Sequence, residues 1–472
     1  MMSDLSCSVL VIGAGIAGWT AALRAIEHGV DVLVVDKSPG EFGGGNTLMT
    51  SGSLRAAGKN LKSAPQALYR EVMKEGVAYP ELARAWADHC PASVDRLRGW
   101  GVELADGPAG GLLLEPRTSI SLSPVYKRDV GANILRKLKA SFTKRGGRYA
   151  GNTEALRLLI REGCVSGVVA QSNRKSLDIQ SKATVLTTGG FSANKVMVVK
   201  YIGRHAHECK LRGSPNDTGD GLRIAMEIGA KAVNLSYFYG HLLSLKALSD
   251  DRFWPYPRLD SLVNEGILVD RLGNRFVDEG RGDVAVANEL AKSDDVKGAC
   301  LIFDEEAWQG ARSDAPFPYP KTPSANPWLM ENDGCLYKRE TAEELARAID
   351  VDGANLLRTL DSFNKASERR SFEGVLVPRK GKTRPLRSPL YGLKVVPGIT
   401  FTMGGVLING KAEVLSQEEQ PIKGLYAAGD AIGGLMGGYH GGYTGGLCQA
   451  IVTGIIAGEN TASFATGSVR AG

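Results

Sequence analysis

The sequence predicts an α/β fold in which one parallel-sheet domain is split along the chain and carries a second domain inserted into it. Three observations lead there. Near the N-terminus a short apolar strand runs straight into a glycine-rich turn and an amphipathic helix. The segment 383–472 returns to the same succession of strand, glycine loop and helix. Between them, over 237–382, the texture changes to irregular stretches such as APFPYPKTPSANPWLM, whose Pro content marks surface structure. The expected division is therefore 1–236 and 383–472 for the split domain and 237–382 for the insertion.

The opening reads as a βαβ unit. CSVLVIG is a short run rich in β-branched residues, as a buried strand requires. IAGWTAALRAIEHG has apolar residues at helical spacing and ends at Gly29, a suitable helix terminator. VDVLVVD is the second strand, and GCVSGVVAQS and KATVLTTGG read as further strands of the same domain. Helical periodicity returns in DGLRIAMEIGAKA and TAEELARAIDVDGANLLRTLDSFNKA. The strand GLYAAGD, a glycine loop and the helix LCQAIVTGIIAGENTA follow near the end.

Composition narrows the function classes. The 59 glycines in 472 residues exceed the usual proportion of about 7%. They cluster in a few loops, where backbone must approach something closely. The net charge of +6 is spread over dispersed Lys and Arg, without the basic stripe that nucleic-acid binding needs. The seven cysteines are odd in number and none stand at C-x-x-C spacing. A disulfide framework, a metal site, an iron–sulfur cluster and an attached haem are all unsupported. Free thiols in a reducing cytoplasm are expected. No basic region precedes the first apolar run, so no secretory signal is expected. No stretch reaches the ~18 apolar residues of a membrane span.

Gly13, Gly15 and Gly18 form G-x-G-x-x-G between the first strand and its helix. The first glycine makes the turn and the second lets backbone reach a pyrophosphate. The third lets the helix pack on the sheet, with the phosphates at its positive end. Asp36 closes the second strand, where a carboxylate can bind a ribose. An acid there disfavours a 2′-phosphate and leaves FAD or NAD, so the split domain is Rossmann-like. Asp430, in GLYAAGDAIGG, decides for FAD, because an acid after that strand can bind a ribityl chain. The helix that follows can point its N-terminus at the flavin ring.

With these residues in place, the chain resembles the fumarate reductase/succinate dehydrogenase flavoprotein superfamily. The matching segments are FGGGNTLMTSGSLRAAG, LTTGGF, NDTGDGLRIAMEIGA, VDRLGNRFVDEG, TMGGVLI and GLYAAGD, in family order. The resemblance implies a Rossmann-like FAD-binding domain split in sequence, with an inserted α+β capping domain over the flavin. It implies FAD contacts from Gly13, Gly15, Ile16, Ala17 and Gly18, and from Asp36 and Lys37. The second flavin loop adds Gly44, Gly45, Asn46, Thr47, Ser51 and Gly52. Thr188, Gly189, Asp220, Gly429, Asp430, Gly445 and Leu447 complete the set. Asn46 stands where members with covalent flavin carry a histidine. An amide cannot form that bond, so noncovalent FAD is implied.

Such chemistry needs a flavin for hydride, a protonic group at the neighbouring carbon, and donors that polarise the adjacent carbonyl or carboxylate. The resemblance puts a substrate-binding histidine at His241. The loop GGYHGGYTGG lacks the arginine that fumarate reductases place there. It is similar to the ketosteroid dehydrogenase branch, where a tyrosine hydroxyl and a glycine N–H bind a ketone oxygen. That makes Tyr439, with Gly441 and Gly442, the candidate, and His440 and Tyr443 add donors. The family's proton-donating arginine lies four residues after the glutamate of RFVDEG, where this chain has Asp283. Either Arg281 serves from a shortened loop or that arginine is missing, leaving Arg281 to pair with Asp278 or Asp283. Thr400 and Phe401 replace the second histidine before TMGG. This favours a relative such as a tricarballylate dehydrogenase or a ketone desaturase over a fumarate reductase proper.

The expected function is FAD-dependent α,β-dehydrogenation (desaturation) of a C–C bond adjacent to a ketone or carboxylate, in a small organic acid or cyclic keto compound. The alternatives are fumarate reductase-like reduction of an unsaturated carboxylate, and an FAD-binding electron-transfer subunit without a substrate. Without a haem or iron–sulfur motif, electrons must come from or go to an external donor or acceptor.

Overall fold

The computed structural model describes residues 5–107, 110–115, 120–121, 127–313 and 323–467. Part of the Pro-rich stretch, 315–322, lies outside the described residues. The elements that position the site are, in chain order, β1 (Leu5–Ile12), α1 (Ile16–Ile26), β2 (Val32–Val35), α2 (Asp129–Lys144) and β3 (Arg148–Ala150). Then come β4 (Thr153–Arg161), β5 (Cys164–Ser172), β6 (Lys175–Leu186), α3 (Asp220–Met226), β7 (Phe238–Ser244) and β8 (Ile267–Val269). After them lie α4 (Asp283–Lys292), β9 (Cys300–Asp304), β10 (Leu336–Arg339), β11 (Leu390–Thr402), β12 (Glu413–Leu415), β13 (Pro421–Ala427) and α5 (Gly446–Ala465).

The architecture is mixed α/β, with parallel and antiparallel sheets. In the first sheet the strand order is β12-β13-β6-β1-β2-β3, and β4 and β5 join through β6. β1 pairs parallel with β2 on one side and β6 on the other. Strands so placed are covered on both faces, which is why Val9 to Ile12 are uniformly apolar and buried. β13 enters the sheet beside β6, parallel to it, with Val185 opposite Tyr426. Residues near the two ends of the chain therefore share one sheet. α5 lies along α1, and glycines make the approach possible. A Cβ on Gly454 would stand 2.5 Å from the Ala17 carbonyl oxygen, and one on Gly458 would collide with that of Ala21.

The second sheet is built around β11. β7, β9 and β10 all pair antiparallel with it, and β8 pairs with β9. The short strand Lys210–Leu211 adds on in parallel. The two sheets meet at the end of β11, where the Phe191 N–H donates to Thr402 Oγ1 at 3.2 Å. Beside the second sheet, Ala342–Ile349 and Gly353–Arg369 form two helices, each started by a capping side chain, Thr341 and Asp352. All seven cysteines are free. Among the described residues no helix is long and apolar enough to cross a membrane.

The tightest point of the first sheet is the fingerprint turn. A Cβ on Gly18 would collide with the Gly13 carbonyl and approach Thr187 Oγ1 to 2.9 Å. Backbone cannot yield as a flexible side chain does. Gly18→Ala should therefore lose about 1–3 kcal/mol and lower the melting temperature. Gly99→Ala, where a Cβ meets open space at the end of a helix, should leave it unchanged. Calorimetry of the two variants side by side checks this.

Candidate active site

A cavity of ≈540 Å³ opens at the ends of β1, β2 and β6. Every residue expected to contact FAD lines it except Gly18, Gly52 and Gly445. Those three instead allow backbone segments to touch, Gly18 against Gly13, Gly52 against Leu114 and Gly445 against Arg55. The Ile16 N–H, at the start of α1, donates to Thr47 Oγ1 at 3.0 Å, which ties the second loop to the fingerprint. Asp36 accepts from the Ala14 N–H at 2.6 Å and the Ser38 N–H at 2.8 Å. The carboxylate is thus fixed at the cavity wall. Lys37 donates to Asp220 at 2.5 Å and to Thr218. Asn46 Oδ1 accepts the Ser214 N–H at 2.7 Å.

Asp430 tests whether this cradle suits a flavin. Its Oδ1 is buried without a hydrogen-bond partner at the cavity wall. Burial, with Asp217 nearby, pushes its pKa well above the usual carboxylate range. An unsatisfied buried polar atom costs about 1–3 kcal/mol, so the position calls for a polar ligand group. The hydroxyls of a ribityl chain are such groups, and the residues fit FAD.

The cavity continues past the cradle to Tyr239, Arg212, Arg258 and Tyr443. Tyr239 stacks on Tyr443 with ring centroids 4.1 Å apart and meets Phe401 in a tilted contact at 5.2 Å. Behind Tyr239, His241 is buried, and its Nε2 lies 2.9 Å from the Tyr239 hydroxyl. Its Nδ1 faces two carboxylates, Asp260 at 2.9 Å and Asp283 at 2.6 Å. Arg258 pairs with Asp260 at 3.2 Å, and its Nε has no partner. Arg212 is buried and donates to Thr400 Oγ1 at 2.8 Å and to the Pro255 carbonyl at 3.1 Å.

These contacts set the charges. Burial opposes a charged His241, but Asp260 foremost, with Tyr239 and Asp283, raises its pKa to about 10. Burial likewise opposes a Tyr239 phenolate, yet His241, Arg258 and Arg212 outweigh it and hold its pKa below the ordinary phenol value. Burial opposes ionised Asp260 too, but His241 and Arg258 keep it ionised far into acid.

The remaining expected residues gather elsewhere. Tyr443 is in the cavity wall, whereas Tyr439, His440, Gly442 and Arg281 do not line it. Tyr439 is 47% exposed. The Arg281 guanidinium lies 3.7 Å from its ring centroid and donates to its carbonyl at 2.6 and 2.9 Å. The carboxylate partner of Arg281 is Glu289, at 3.6 Å, rather than Asp278 or Asp283. The His440 N–H donates to Glu75 at 2.8 Å. Asp283, in the position of the family arginine, meets His241 instead. Thr400, in the position of a family histidine, holds Arg212.

Tyr239, Arg212 and Arg258 escaped the sequence reading. Tyr239 had a signal, since it stands two residues before His241 in a strand, and alternate strand residues share a face. Arg212 and Arg258 had none, because each lies in irregular backbone between recognisable segments.

The charge on His241 has a consequence for stability. Its folded-state pKa lies above the ordinary 6.5. The imidazolium's contribution is therefore complete below about 6.5 and is lost as pH rises to about 10. His241→Gln should cost roughly 2 kcal/mol at pH 6, less than the ~3–5 kcal/mol of a fully buried pair, because Asp260 and Asp283 keep 23% and 24% side-chain exposure. The deficit should narrow toward pH 10. Denaturant titrations at a series of pH values would show it, and a constant deficit would mean that the histidine is neutral.

Residues 8–447 match the FAD binding domain family. The NADH:fumarate oxidoreductase of Klebsiella pneumoniae (strain 342) is 30% identical over 453 residues, which cover 91% of this chain and 45% of that protein. The chain thus spans less than half the length of that relative. The open conformation of a flavocytochrome c3 fumarate reductase superposes with a TM-score of 0.68 at 27% identity, covering 98% of this chain and 79% of that one. The 3-ketosteroid-Δ4-(5α)-dehydrogenase from Rhodococcus jostii RHA1 superposes with a TM-score of 0.70, covering 97% of both chains, and at 22% identity the likeness is one of fold. FAD is the cofactor that this match and these residues call for, and the chain belongs to the FAD binding domain family, within the fumarate reductase/succinate dehydrogenase flavoprotein superfamily.

Proposed function

We propose that the protein is an FAD-dependent oxidoreductase that removes two hydrogens across a C–C bond adjacent to a carboxylate or ketone, in a small organic acid or cyclic keto compound. One observation carries the reading: a single cavity runs from the cofactor cradle to Arg212, Arg258 and Tyr239. Bound FAD would supply the hydride acceptor. The fingerprint glycines, Asp36, Asn46 and Asp430 would hold it, noncovalently, since Asn46 offers only an amide. Arg258 and Arg212 would orient a carboxylate, whose two oxygens match the guanidinium fork. Two cations at the cavity wall support a substrate with a carboxylate over a plain ketone.

In this reading His241 and Tyr443 act within the site, the first through Tyr239. Tyr439, His440, Arg281 and Gly442 belong to its rim, and the Arg281–Tyr439 contact holds the glycine loop in place. The segments 1–236 and 383–472 form the FAD-binding domain and 237–382 the cap over the flavin, with β11 reaching into the cap's sheet. Electrons pass to an external acceptor. Seven free cysteines support a reducing, cytoplasmic setting. A second reading, reduction of the corresponding unsaturated acid, is favoured by the name of the Klebsiella relative. A substrate-free electron-transfer subunit would have no use for Arg212 and Arg258 converging on the cavity.

Acid precipitation should release intact FAD, and flavin retained in the denatured pellet would overturn noncovalent binding. Anaerobic mixing with saturated carboxylic and keto acids should bleach the flavin. Reduced enzyme mixed with the unsaturated partners should regain its colour. Arg258→Ala should weaken binding of the responsive acid roughly tenfold to a hundredfold, the worth of a hydrogen bond to a charged group, and leave bound FAD unchanged. Wild-type affinity in that variant would remove Arg258 from the substrate pocket.

A further inference from the structure

We propose that Tyr239 is the residue that exchanges the substrate's proton, and that His241, held by Asp260 and Asp283, is the positioning residue that sets its charge. The proposal rests on the function proposed above and adds the acid–base partner that it lacks. The position of the family's proton-donating arginine holds Asp283, which is engaged with His241. Arg281 is committed to Tyr439. At the far end of the cavity from the cofactor cradle, Tyr239 is a titratable wall group hydrogen-bonded to a second proton carrier.

Its surroundings suit the task. The groups facing Tyr239 are His241 on its own strand, Arg258 and Asp260 from the segment before β8, and Asp283 at the head of α4. Arg212 follows the short strand Lys210–Leu211, Tyr256 precedes Arg258, and Tyr443 comes from the loop before α5. Phe401 of β11 packs against the ring and brings no charge. The cations His241, Arg258 and Arg212 outnumber the carboxylates Asp260 and Asp283 by one. A single additional anion would balance the cluster, and the Tyr239 phenolate is the form that these cations favour. Lowering a phenol's pKa moves it in the direction that general-base catalysis needs.

The step balances as follows. The Cα–H bond breaks, its proton bonds to the Tyr239 oxygen, and its electron pair becomes the new C=C bond. FAD, when bound, would accept the Cβ–H pair as hydride, which balances the oxidation of the substrate. In the other direction the Tyr239 O–H bond breaks, its proton bonds to Cα, and the electron pair stays on oxygen. In that reductive direction the His241 Nε2–H, 2.9 Å away, can restore the proton to Tyr239. In dehydrogenation the imidazolium is already protonated, and the proton taken up by Tyr239 leaves to solvent after the oxidised product departs.

Tyr239→Phe keeps the ring between Tyr443 and Phe401 and removes only the hydroxyl. The holoenzyme variant should retain its FAD and bind the responsive acid, while bleaching slows about 10²–10⁴-fold, the usual worth of a positioned acid–base group. In the wild type the bleaching rate should rise with pH to a plateau. His241→Asn should move that rise to higher pH, because losing a cation disfavours the phenolate. A second readout needs no substrate. In an ultraviolet pH titration, one tyrosinate should appear below the range of the ordinary tyrosines, and Tyr239→Phe should lack it. Bleaching of Tyr239→Phe at the wild-type rate with an unchanged pH profile would overturn the proposal. Should no acid react with the wild type in either direction, the proposed function fails. The ultraviolet titration then decides separately, and an ordinary titration of Tyr239 there overturns its poise.

Discussion

The contact of α5 with α1 is the constraint on which the rest of the molecule depends. It is made backbone to backbone, through Gly454 and Gly458, and so has one geometry. That geometry fixes the turn after β13. The Gly429 N–H donates to Thr453 Oγ1 at 3.0 Å, and the Gln449 amide donates to the Gly429 carbonyl at 3.0 Å. Asp430 is thereby held opposite the fingerprint turn, and the two halves of the cradle face each other. A side chain at Gly429 would meet Ala17 of α1 at 2.8 Å, so the halves cannot drift apart without opening a gap, or together without a clash.

Beyond the cradle the organising force changes from packing to charge. Burying Arg212 and His241, and half-burying Arg258, Asp260 and Asp283, is costly unless the charges are matched. Here the matching is shared: Asp260 answers both His241 and Arg258, and Asp283 answers His241 from another element. Such a network contributes little net stability compared with an apolar core of equal volume. Its value lies in holding polar groups at a cavity wall in fixed positions before any substrate arrives, so that little reorganisation remains for the reaction itself. Glu279 provides the contrast. Fully buried between Arg275 and Arg379 at 2.6 and 2.8 Å, it fixes a turn away from the cavity and takes no part in lining it.

The legible part of this molecule was the local part. The strand, turn and helix from Leu5 to Ile26 announce themselves because period, glycines and acid lie within one short segment, and Asp430 could be read for the same reason. The charged end of the cavity is assembled from Arg212, Tyr239, Arg258, Asp283 and Tyr443, which no periodicity links. The glycine loop shows the limit clearly. Tyr439 and Tyr443 look alike in sequence, but positive φ at Gly437, Gly438, Gly441 and Gly442 breaks any regular alternation. Only the fold decides that Tyr443 faces inward. Asp283 carried a usable hint, since replacing a cation with an anion reverses what the neighbouring groups must be, and a buried histidine is a natural partner.

The place of β13 in the first sheet bears on how the chain comes to fold during synthesis. A protein made from its N-terminus can organise early domains while later ones are still being translated. Here β1 and α1 emerge well before β13 and α5, yet residues 184–186 of β6 find their outer neighbour only in β13, and α1 is covered by α5. The apolar side of α1 and the last residues of β6 therefore stay unsheltered until β13 and α5 have left the ribosome. Truncations that remove α5 would not yield a smaller cofactor-binding unit but a nascent chain with a sticky face. That face makes this protein a candidate client for holding chaperones during its own translation.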